Sequence, residues 1–405
     1  MRIVRLPGDA TARDIRALGD APRAIEADVR AIVEEVRAGG DAALASLTRR
    51  LDGVDAELTV PLDAVPPAAL RDALETATAN VEAVARASLR DPVRVELPQG
   101  HTVELAELPV RRAGAYVPGG RAAYVSSVVM CAVTARVAGV ERIAVCTPPP
   151  VDAAVVAACR ACAVDELYAV GGAQAVAALA YGTETIPAVD VIAGPGNAYV
   201  TEAKRQVRGD VAIDGLAGPS ELVVVAAGGA DPKLAALDLL AQAELGPSSL
   251  CAAISPEREL LDEIVRQVET LAPDRPTVTD APLAVVPTSD IDAAIALADD
   301  IAPEHLQLMG ADAEAQADRI HAAGCLFVGR DAATAFGDYV AGSNHVLPTG
   351  GAARFESALS VATFRRRMAR VSLPAGAAAR LAPAGAALSQ AEGFPVHGES
   401  MEQRA

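Results

Sequence analysis

The stretch RIAVCTPPPVDAAVVAACRACAVDELYAVGGAQAVAALAYGTETIPAVDVIAG, residues 142–194, alternates short apolar runs with Ala-rich segments. The runs RIAVCT, ELYAV and VDVIAG have the length of buried strands, and the segments over 152–163 and 173–182 have the composition of helices. Strands that are apolar on both faces and joined by helices are typical of a parallel sheet covered on both sides. This stretch therefore predicts an α/β fold with a doubly wound sheet.

The same alternation of strand and helix continues on both sides. Upstream, GAYV (114–117) precedes an apolar helix over 126–138, and downstream a helix over 198–208 completes the first run. A second run of strands begins with LVVVA (222–226) and ends with CLFVG (325–329). Within the second run the periodicity predicts helices over 231–245, 256–271, 290–300 and 312–322. We therefore expect two α/β sheets.

The two ends of the chain have a different pattern. The first quarter is predicted to be helical, with helices over 22–38, from Asp41 onward and over 64–90. The pair Gly39-Gly40 is expected to end the first of these helices. Alternating segments predict a β-ribbon near 93–97 and 102–108. Residues from about 361 onward are predicted to form Ala-rich helices without strands.

The composition excludes several classes of protein. The 405 residues include 53 acids and 35 bases, which gives a net charge of −18. Such a chain repels phosphate backbones and anionic lipids, so we expect neither nucleic acid nor membrane as a partner. Half of the residues are hydrophobic, which argues against disorder. The first residues lack the pattern of a signal peptide. The six cysteines are too few for disulfide bonds to stabilise a chain of this length, so a cytoplasmic protein is expected.

Three Gly-rich loops follow strands of the first run. They are YVPGGR (116–121), VGGAQ (170–174) and the start of AGPGNAYVTEAKRQV (193–207). Parallel sheets bind ligands at the carboxyl ends of their strands, and Gly196-Asn197 opens a helix whose positive end suits an anionic or nucleotide group. The GxGxxG fingerprint is absent. Each loop alone is typical of a tight turn, and together they favour a nucleotide site.

The scarce histidines and their polar neighbours give the other candidates. Glu304 and His305 adjoin in ADDIAPEHLQL, as a proton-transferring pair or as an exposed polar pair at a loop end. Adjacent residues on a strand point to opposite faces, so a shared site requires irregular backbone there. The segment GDYVAGSNHVLPTGG (337–351) contains Asp338, Asn344 and His345, and it fits a metal or substrate site as well as a well-bonded loop. Gln242 and Glu244 lie on a predicted helix, and their polarity by itself indicates only contact with solvent. His397 lies near the C-terminus, where a histidine is typical of an exposed tail.

Taken together, these segments resemble the histidinol dehydrogenase family. The blocks that carry the resemblance are GAYVPGG, VGGAQAVAALAYGTE, AGPGNAYVTEAKRQV, AGPSEL, APEHL and GDYVAGSNHVLPT, in this order, and the likeness runs from about residue 20 to the tail. The resemblance implies an intertwined homodimer with two incomplete Rossmann-like domains. It also implies an NAD-linked, four-electron oxidation of L-histidinol to L-histidine through an aldehyde, the last step of histidine biosynthesis.

We accordingly interpret the chain as three parts. Residues 1–112 and 222–360 are expected to form the first α/β domain, with a helical N-terminal part. Residues 113–221 are expected to form an inserted, Rossmann-like NAD-binding domain. Residues 361–405 are expected to form a helical tail that contributes to the active site of the partner subunit.

The resemblance also implies roles for individual residues. The expected contacts to NAD are Tyr116, Gln174 and Asn197. His305 is expected to be the general base and Glu304 the residue that activates water at the aldehyde stage. The expected substrate contacts are Ser220, His345 and Glu392, joined at the substrate by Gln242, His305, Asp338 and His397. The expected zinc ligands are Gln242, Asp338 and His397, and Glu392 and His397 are expected to come from the partner's tail.

Position 245 departs from the family pattern. The family's metal-binding helix carries a histidine three residues after the glutamine, and this chain has Leu245 there. Loss of this imidazole leaves Gln242, Asp338 and His397 as the expected ligands. The zinc site is weakened, because the amide oxygen of Gln242 is a poor zinc ligand. The alternatives are a histidinol dehydrogenase with a reduced zinc site, a paralogue that oxidises another small alcohol with NAD and with a degraded or absent zinc site, and a catalytically silent homologue. The first is preferred, because every other matched position fits.

Overall fold

The computed structural model describes residues 1–19, 24–119 and 122–405. Their strands are β1 (Arg2–Arg5), β2 (Val93–Glu96), β3 (Thr102–Pro109), β4 (Arg112–Tyr116), β5 (Arg142–Thr147), β6 (Glu166–Ala169), β7 (Val191–Ala193), β8 (Ala212–Ile213), β9 (Glu221–Ala226), β10 (Leu250–Ser255), β11 (Pro282–Pro287), β12 (His305–Met309), β13 (Cys325–Val328) and β14 (Arg365–Ser372). Their α-helices are α1 (Ala12–Arg16), α2 (Glu26–Leu51), α3 (Ala68–Ala87), α4 (Val125–Ala138), α5 (Ala153–Ala161), α6 (Gly172–Tyr181), α7 (Ala198–Val207), α8 (Pro232–Glu244), α9 (Arg258–Leu271), α10 (Ile291–Ile301), α11 (Ala311–Glu314), α12 (Thr334–Tyr339), α13 (Ala375–Ala391) and α14 (Pro395–Glu402).

Two parallel sheets form the body of the protein. One has five strands in the order β6-β5-β4-β7-β8, and the other has six in the order β1-β11-β10-β9-β12-β13. Every neighbouring pair within these two sheets is parallel. The predicted α/β fold with parallel sheets is therefore confirmed.

Both faces of the five-stranded sheet are covered by helices. Along β5, Ile143 and Val145 pack in one apolar cluster with α3, α4 and α5. Ala144 and Cys146 point the other way and pack in a second cluster with α2, α6 and α7. This alternation explains why the strands of the sheet are apolar on both faces over most of their length.

The N-terminal elements divide between the two sheets. Helices α2 and α3 pack against the five-stranded sheet, whereas β1 pairs with β11 and Ile15 of α1 packs in a core of the six-stranded sheet. The predicted break at Gly39-Gly40 is present within α2, where Gly40 has φ +54° and ψ −138°. Positions 22 and 23, where the first predicted helix begins, lie outside the described residues. The boundaries of the domains stay a prediction.

The prediction of an all-helical first quarter was wrong at its start. Residues Arg2–Arg5 form β1, an edge strand of the six-stranded sheet. Its partner β11 lies far along the chain, and four residues with two arginines carry too little pattern to indicate a strand.

The prediction of a strandless tail was also wrong. Strand β14 pairs antiparallel with β3, and with β2 they form a third sheet. Arg367 of β14 pairs with Glu107 at 3.0 Å, and Arg370 pairs with Glu104 at 3.3 Å. The run RRRMARVS is exposed along almost its whole length, so it lacks the apolar alternation that would indicate a strand.

The helix predicted over 312–322 is much shorter. Helix α11 spans Ala311–Glu314, and a 3₁₀ turn follows at Ala317–Arg319. The backbone N–H groups of His321 and Ala322 donate to Asp299 Oδ1 at 2.6 and 2.8 Å, and Ile320 is extended. These bonds to a side chain replace the helical bonds.

In the described residues no helix combines the length and the apolarity that a bilayer crossing requires.

Candidate active site

A cavity of about 1060 Å³ lies between the two parallel sheets. From the five-stranded sheet it is lined at the carboxyl ends of the strands, by Tyr116 at the end of β4 and by the turns after β5, β6 and β7. From the six-stranded sheet it is lined by Ser220 and Glu304, which immediately precede β9 and β12. The expectation that ligand loops follow the strands therefore holds for one sheet only. The other sheet presents the amino ends of its strands.

Eight of the predicted site residues line this cavity together. They come from segments spread along the chain, from the end of β4 to the loop after α12: Tyr116, Gln174, Asn197, Ser220, Glu304, His305, Asp338 and His345. Among the described residues that line the cavity there is no Lys or Arg, whereas four carboxylates are present, those of Asp52, Asp152, Glu304 and Asp338. The cavity is therefore suited to a cationic group.

Tyr116, Gln174 and Asn197 form one wall of the cavity. The Tyr116 hydroxyl accepts a hydrogen bond from the backbone N–H of Gly172 at 3.1 Å, and burial raises the Tyr116 pKa to about 12, so the hydroxyl is neutral. Gln174 is buried in the first turn of α6. Asn197 is the N-cap of α7, where its Oδ1 accepts from the N–H groups of Tyr199 and Val200. Residues 120 and 121 of the first predicted loop lie outside the described residues.

A buried ion pair fixes the loop that leads to Asn197. Lys204 Nζ donates to Gly194 O at 2.5 Å and to Asp214 Oδ1 at 2.6 Å, and Asp214 Oδ2 accepts from Gly194 N–H at 2.7 Å. Both the N–H group and the carbonyl group of Gly194 are thus held by hydrogen bonds. Gly194 has φ +111°, and a Cβ there would lie 2.1 Å from Tyr116 O, so only glycine allows this approach.

Glu304 lies on the opposite wall, in a buried and hydrogen-bonded position. Its Oε2 accepts from Ser220 Oγ at 2.5 Å and from the backbone N–H of Glu221 at 2.8 Å. Burial raises the Glu304 pKa to about 7, against the lowering effects of His305 and of these hydrogen bonds. A carboxyl group that titrates near neutrality can accept a proton in the physiological range.

His305 is held so that one ring nitrogen faces the cavity. Its Nδ1 lies 3.0 Å from the backbone oxygen of Glu221, which can only accept, so Nδ1 carries a proton and Nε2 keeps its lone pair in the neutral ring. Nε2 lies 3.5 Å from Asp338 Oδ1. Burial alone would lower the His305 pKa, but the carboxylates of Glu304 and Asp338 outweigh it and raise the pKa to about 9.

The irregular backbone that this pair requires is present. Strand β12 begins at His305, and Glu304 lies just outside it, after Ala302 in the left-handed conformation. Glu304 Oε2 and His305 Nδ1 are 3.5 Å apart, so the two adjacent side chains share one site.

The loop over 337–351 supplies Asp338 and His345 to the cavity. His345 Nδ1 donates to Asp338 O at 2.8 Å, and its Nε2 lies 3.2 Å from Ser127 Oγ, so the ring is held at both nitrogens. Burial lowers the His345 pKa, which keeps this ring neutral. Asn344 instead bonds Met130 O at 3.1 Å and caps Val346, so its role is to hold the loop.

Gln242 does not face solvent, which corrects the interpretation of its helix from polarity alone. It is buried, and its Nε2 donates to Ser220 Oγ at 2.7 Å. Leu245, one turn further on, lines the cavity with 42% of its surface exposed. No cluster of three His, Cys, Asp or Glu side chains with metal-binding geometry occurs within the described ranges. In this chain a hydrocarbon side chain occupies the position of a donor, so these residues do not fit a closed zinc site.

The tail residues Glu392 and His397 are not part of the cavity of their own chain. Glu392 ends α13, and His397 lies in α14, where its ring is 5.5 Å from that of Phe394. Both are exposed. Their role at a partner's site stays a prediction.

Sequence reasoning missed several residues of the site. Glu221 is buried and pairs with Arg16 at 2.7 Å, and its carboxylate also accepts from Gly350 N–H at 3.0 Å. A glutamate at the head of the apolar strand ELVVVA is a signal that could have found it. Ser127 lies in a helix that is largely apolar, which is a weaker signal. No pattern distinguishes Asp52 from other acids near helix ends.

Comparisons with known proteins agree with one another. A sequence model of the histidinol dehydrogenase family matches residues 18–405. The chain is 44% identical to histidinol dehydrogenase from Synechococcus sp. over 94% of this chain and 92% of the relative. It is 43% identical to histidinol dehydrogenase from Thermus thermophilus over 94% of each. A crystal structure of histidinol dehydrogenase from Elizabethkingia anophelis matches with a TM-score of 0.92 at 29% identity, and the match covers 100% of this chain and 98% of that one.

Proposed function

Because this chain belongs to the histidinol dehydrogenase family and is an oxidoreductase, we propose that it oxidises L-histidinol to L-histidine in two NAD-linked steps. The observation that carries the proposal is the pair Glu304–His305 in a cavity that also contains Tyr116, Gln174 and Asn197. The acidic lining suits an amino alcohol, whose ammonium group would lie near the carboxylate of Asp338.

The residues of the cavity wall fit NAD. This wall consists of the neutral side chains of Tyr116 and Gln174 and the N-terminus of α7. It lines a space large enough for an extended ligand. When bound, NAD supplies hydride acceptance for both oxidations. The task of the protein is to hold the carbinol carbon in place and to remove protons.

In the first oxidation, His305 acts as the general base. Its Nε2 takes the hydroxyl proton of the alcohol as the C–H bond gives up a hydride, and the products are an aldehyde and imidazolium. The carbonyl oxygen of Glu221 holds the tautomer in which Nε2 is the basic atom. The carboxylates of Glu304 and Asp338 stabilise the imidazolium that forms.

In the second oxidation, Glu304 acts on water. The carboxylate takes a proton from a water molecule while the oxygen of that water attacks the aldehyde carbon. The His305 imidazolium returns its proton to the former carbonyl oxygen, which gives a hydrate and a neutral His305. His305 then takes a hydroxyl proton of the hydrate as the second hydride leaves, and the product is the carboxylic acid. Ser220, bonded to Glu304 and Gln242, holds the carboxylate in position.

Purified protein is expected to form about two NADH for each L-histidinol consumed, because a four-electron oxidation transfers two hydrides. The measurement is NADH absorbance at exhaustion of a limiting amount of histidinol, with histidine determined by chromatography. A panel of small primary alcohols without an imidazole is the control. Turnover of one of these alcohols with none of histidinol would favour the paralogue instead.

We also propose a homodimer that exchanges its tails. In this chain the segment after β14 exposes large apolar side chains, at Leu373, Leu388, Phe394 and Val396. Apolar groups gathered in this way are typical of a surface covered by another subunit. Glu392 and His397 lie among them, so a partner's cavity is where they would contribute.

For the metal, we propose that zinc binds weakly. Asp338 lines the cavity, Gln242 reaches it only through its bond to Ser220, and Leu245 offers no donor. A histidine from the partner would bring the set to three, one of them an amide oxygen, which is fewer and weaker than a structural zinc site has. No step of the reaction above depends on the metal.

The variant Leu245→His is expected to raise the zinc content toward about one ion per subunit, because it adds an imidazole one turn from Gln242. The measurement is metal content by mass spectrometry after dialysis against zinc. Leu89→His, which adds an imidazole at an exposed position just after α3, is the control. Tight zinc in the unchanged protein, or no gain in the variant, would contradict the proposal.

A further inference from the structure

One carboxylate of the cavity has no role in the proposed reaction. Asp52 follows α2 as its C-cap and lines the cavity. Its Oδ2 lies 3.5 Å from Gln174 Nε2, a long and weak contact. Among the residues that the structure describes, no Lys or Arg forms an ion pair with Asp52.

The position of Asp52 is unfavourable for the stability of the fold. A carboxylate at the C-terminal end of a helix faces the negative end of the helix dipole. Asp52 is also partly buried, and burial raises its pKa. A structural role does not account for an acid in this place.

The neighbouring acid of the same cavity is different. Asp152 is the N-cap of α5, and its Oδ1 accepts from Ala154 N–H at 2.7 Å. That carboxylate is committed to a helix end where a negative charge is favourable. Asp52 is therefore the carboxylate that remains for a ligand on the wall of Tyr116 and Gln174.

We propose that Asp52 binds the adenosine ribose of NAD by accepting hydrogen bonds from its hydroxyl groups, and that it excludes NADP. This inference rests on the proposed use of NAD. The nicotinamide must lie beside His305, because the hydride leaves the carbon whose hydroxyl proton His305 takes. Asp52 comes from α2, which packs with the five-stranded sheet, so the ribose that meets it is the distal one.

The chemistry explains discrimination between the two cofactors. A ribose 2′-hydroxyl donates a hydrogen bond to a carboxylate, and a bond to a charged acceptor is among the stronger ones. The 2′-phosphate of NADP has no such donor and brings about two negative charges to the same place. No Lys or Arg from the described lining residues is present to neutralise it.

The test is steady-state kinetics with NAD and with NADP for three forms of the full-length protein: unchanged, Asp52→Asn and Asp152→Asn. Asparagine keeps the size of each side chain and still caps α5, so the two variants are matched in lost charge. For Asp52→Asn we expect kcat/KM with NAD to fall about tenfold through KM, with kcat nearly unchanged. We expect kcat/KM with NADP to rise, so that the preference for NAD falls about 10²-fold.

Two further measurements separate the possible outcomes. Binding of NADH and NADPH without alcohol tests cofactor recognition even if histidinol is not a substrate, so failure of the proposed reaction is recognised separately. Thermal unfolding of Asp52→Asn is expected to show no loss of stability, because an unfavourable charge is removed. An unchanged cofactor preference in Asp52→Asn, or a shift in Asp152→Asn instead, would overturn the inference.

Discussion

Replacing His305 by asparagine is expected to lower kcat by about 10²–10⁴-fold while NADH binding stays unchanged. The magnitude is that of a lost general base, and both oxidations lose it. His305 is nearly fully buried, with Nδ1 on Glu221 O and Nε2 directed at the cavity. The amide of asparagine can keep the bond to the carbonyl but cannot accept a proton. The measurements are single-turnover NADH formation and NADH titration by fluorescence.

The unchanged protein should show the same loss when its pH is lowered. The carboxylates of Glu304 and Asp338 raise the His305 pKa to about 9 against the effect of burial. The group is therefore protonated and inactive as a base below that pH, and kcat/KM is expected to rise with pH up to about 9. The control is His321→Asn, which removes an exposed imidazole and should behave like the unchanged protein. His321 bonds Asp299 through its backbone N–H, which the substitution keeps. Retention of kcat in His305→Asn would remove His305 as the base.

The α/β body of the fold could be predicted because its signal is local. RIAVCT and HLQLM coincide with β5 and β12, because strands buried on both faces are mostly apolar on both faces and do not alternate. Strands β1 and β14 could not be predicted in this way. Each is stabilised by a partner more than two hundred residues away, and the arginines of β14 pair with glutamates that no window of sequence includes.

The arrangement of the site was also beyond local reasoning. The rule that ligands bind at the carboxyl ends of strands led to the three loops that contain Tyr116, Gln174 and Asn197, and the family resemblance singled out these residues within them. It gave no reason to place Ser220 beside Glu304, because both precede their strands. What joins them is the parallel register of β9 and β12, in which His305 lies opposite Leu222. That register depends on how the whole sheet is assembled.

The polarity of single residues was misleading for the same reason. Gln242 lies on a helix whose sequence fits solvent contact, yet its amide is buried and donates to Ser220. Leu245 follows an apolar spacing that fits a core residue, yet 42% of its side chain is exposed at the cavity. Both outcomes depend on which residues of other elements surround the end of α8, and the periodicity of the helix does not encode these neighbours.

Replacing Glu304 by glutamine is expected to separate the two oxidations. Glutamine has the same shape, and its side-chain oxygen can still accept from Ser220 and from Glu221 N–H, but it cannot take a proton from water. The first oxidation, which depends on His305, should continue, whereas attack of water on the aldehyde should slow by about 10²–10⁴-fold. The yield of NADH should fall from about two toward about one per histidinol, and a carbonyl reagent should trap the aldehyde.

The same variant should also shift the pH dependence of the first oxidation. The carboxylate of Glu304 contributes to the raised pKa of His305, so its removal lowers that pKa and moves the rise in kcat/KM to lower pH. Glu244→Gln, which removes an exposed carboxylate at the end of α8, leaves the environment of His305 unchanged and serves as the control. A merely structural role for Glu304 would slow both oxidations equally and keep the yield at about two NADH. A yield that stays at two would therefore assign the activation of water to another group.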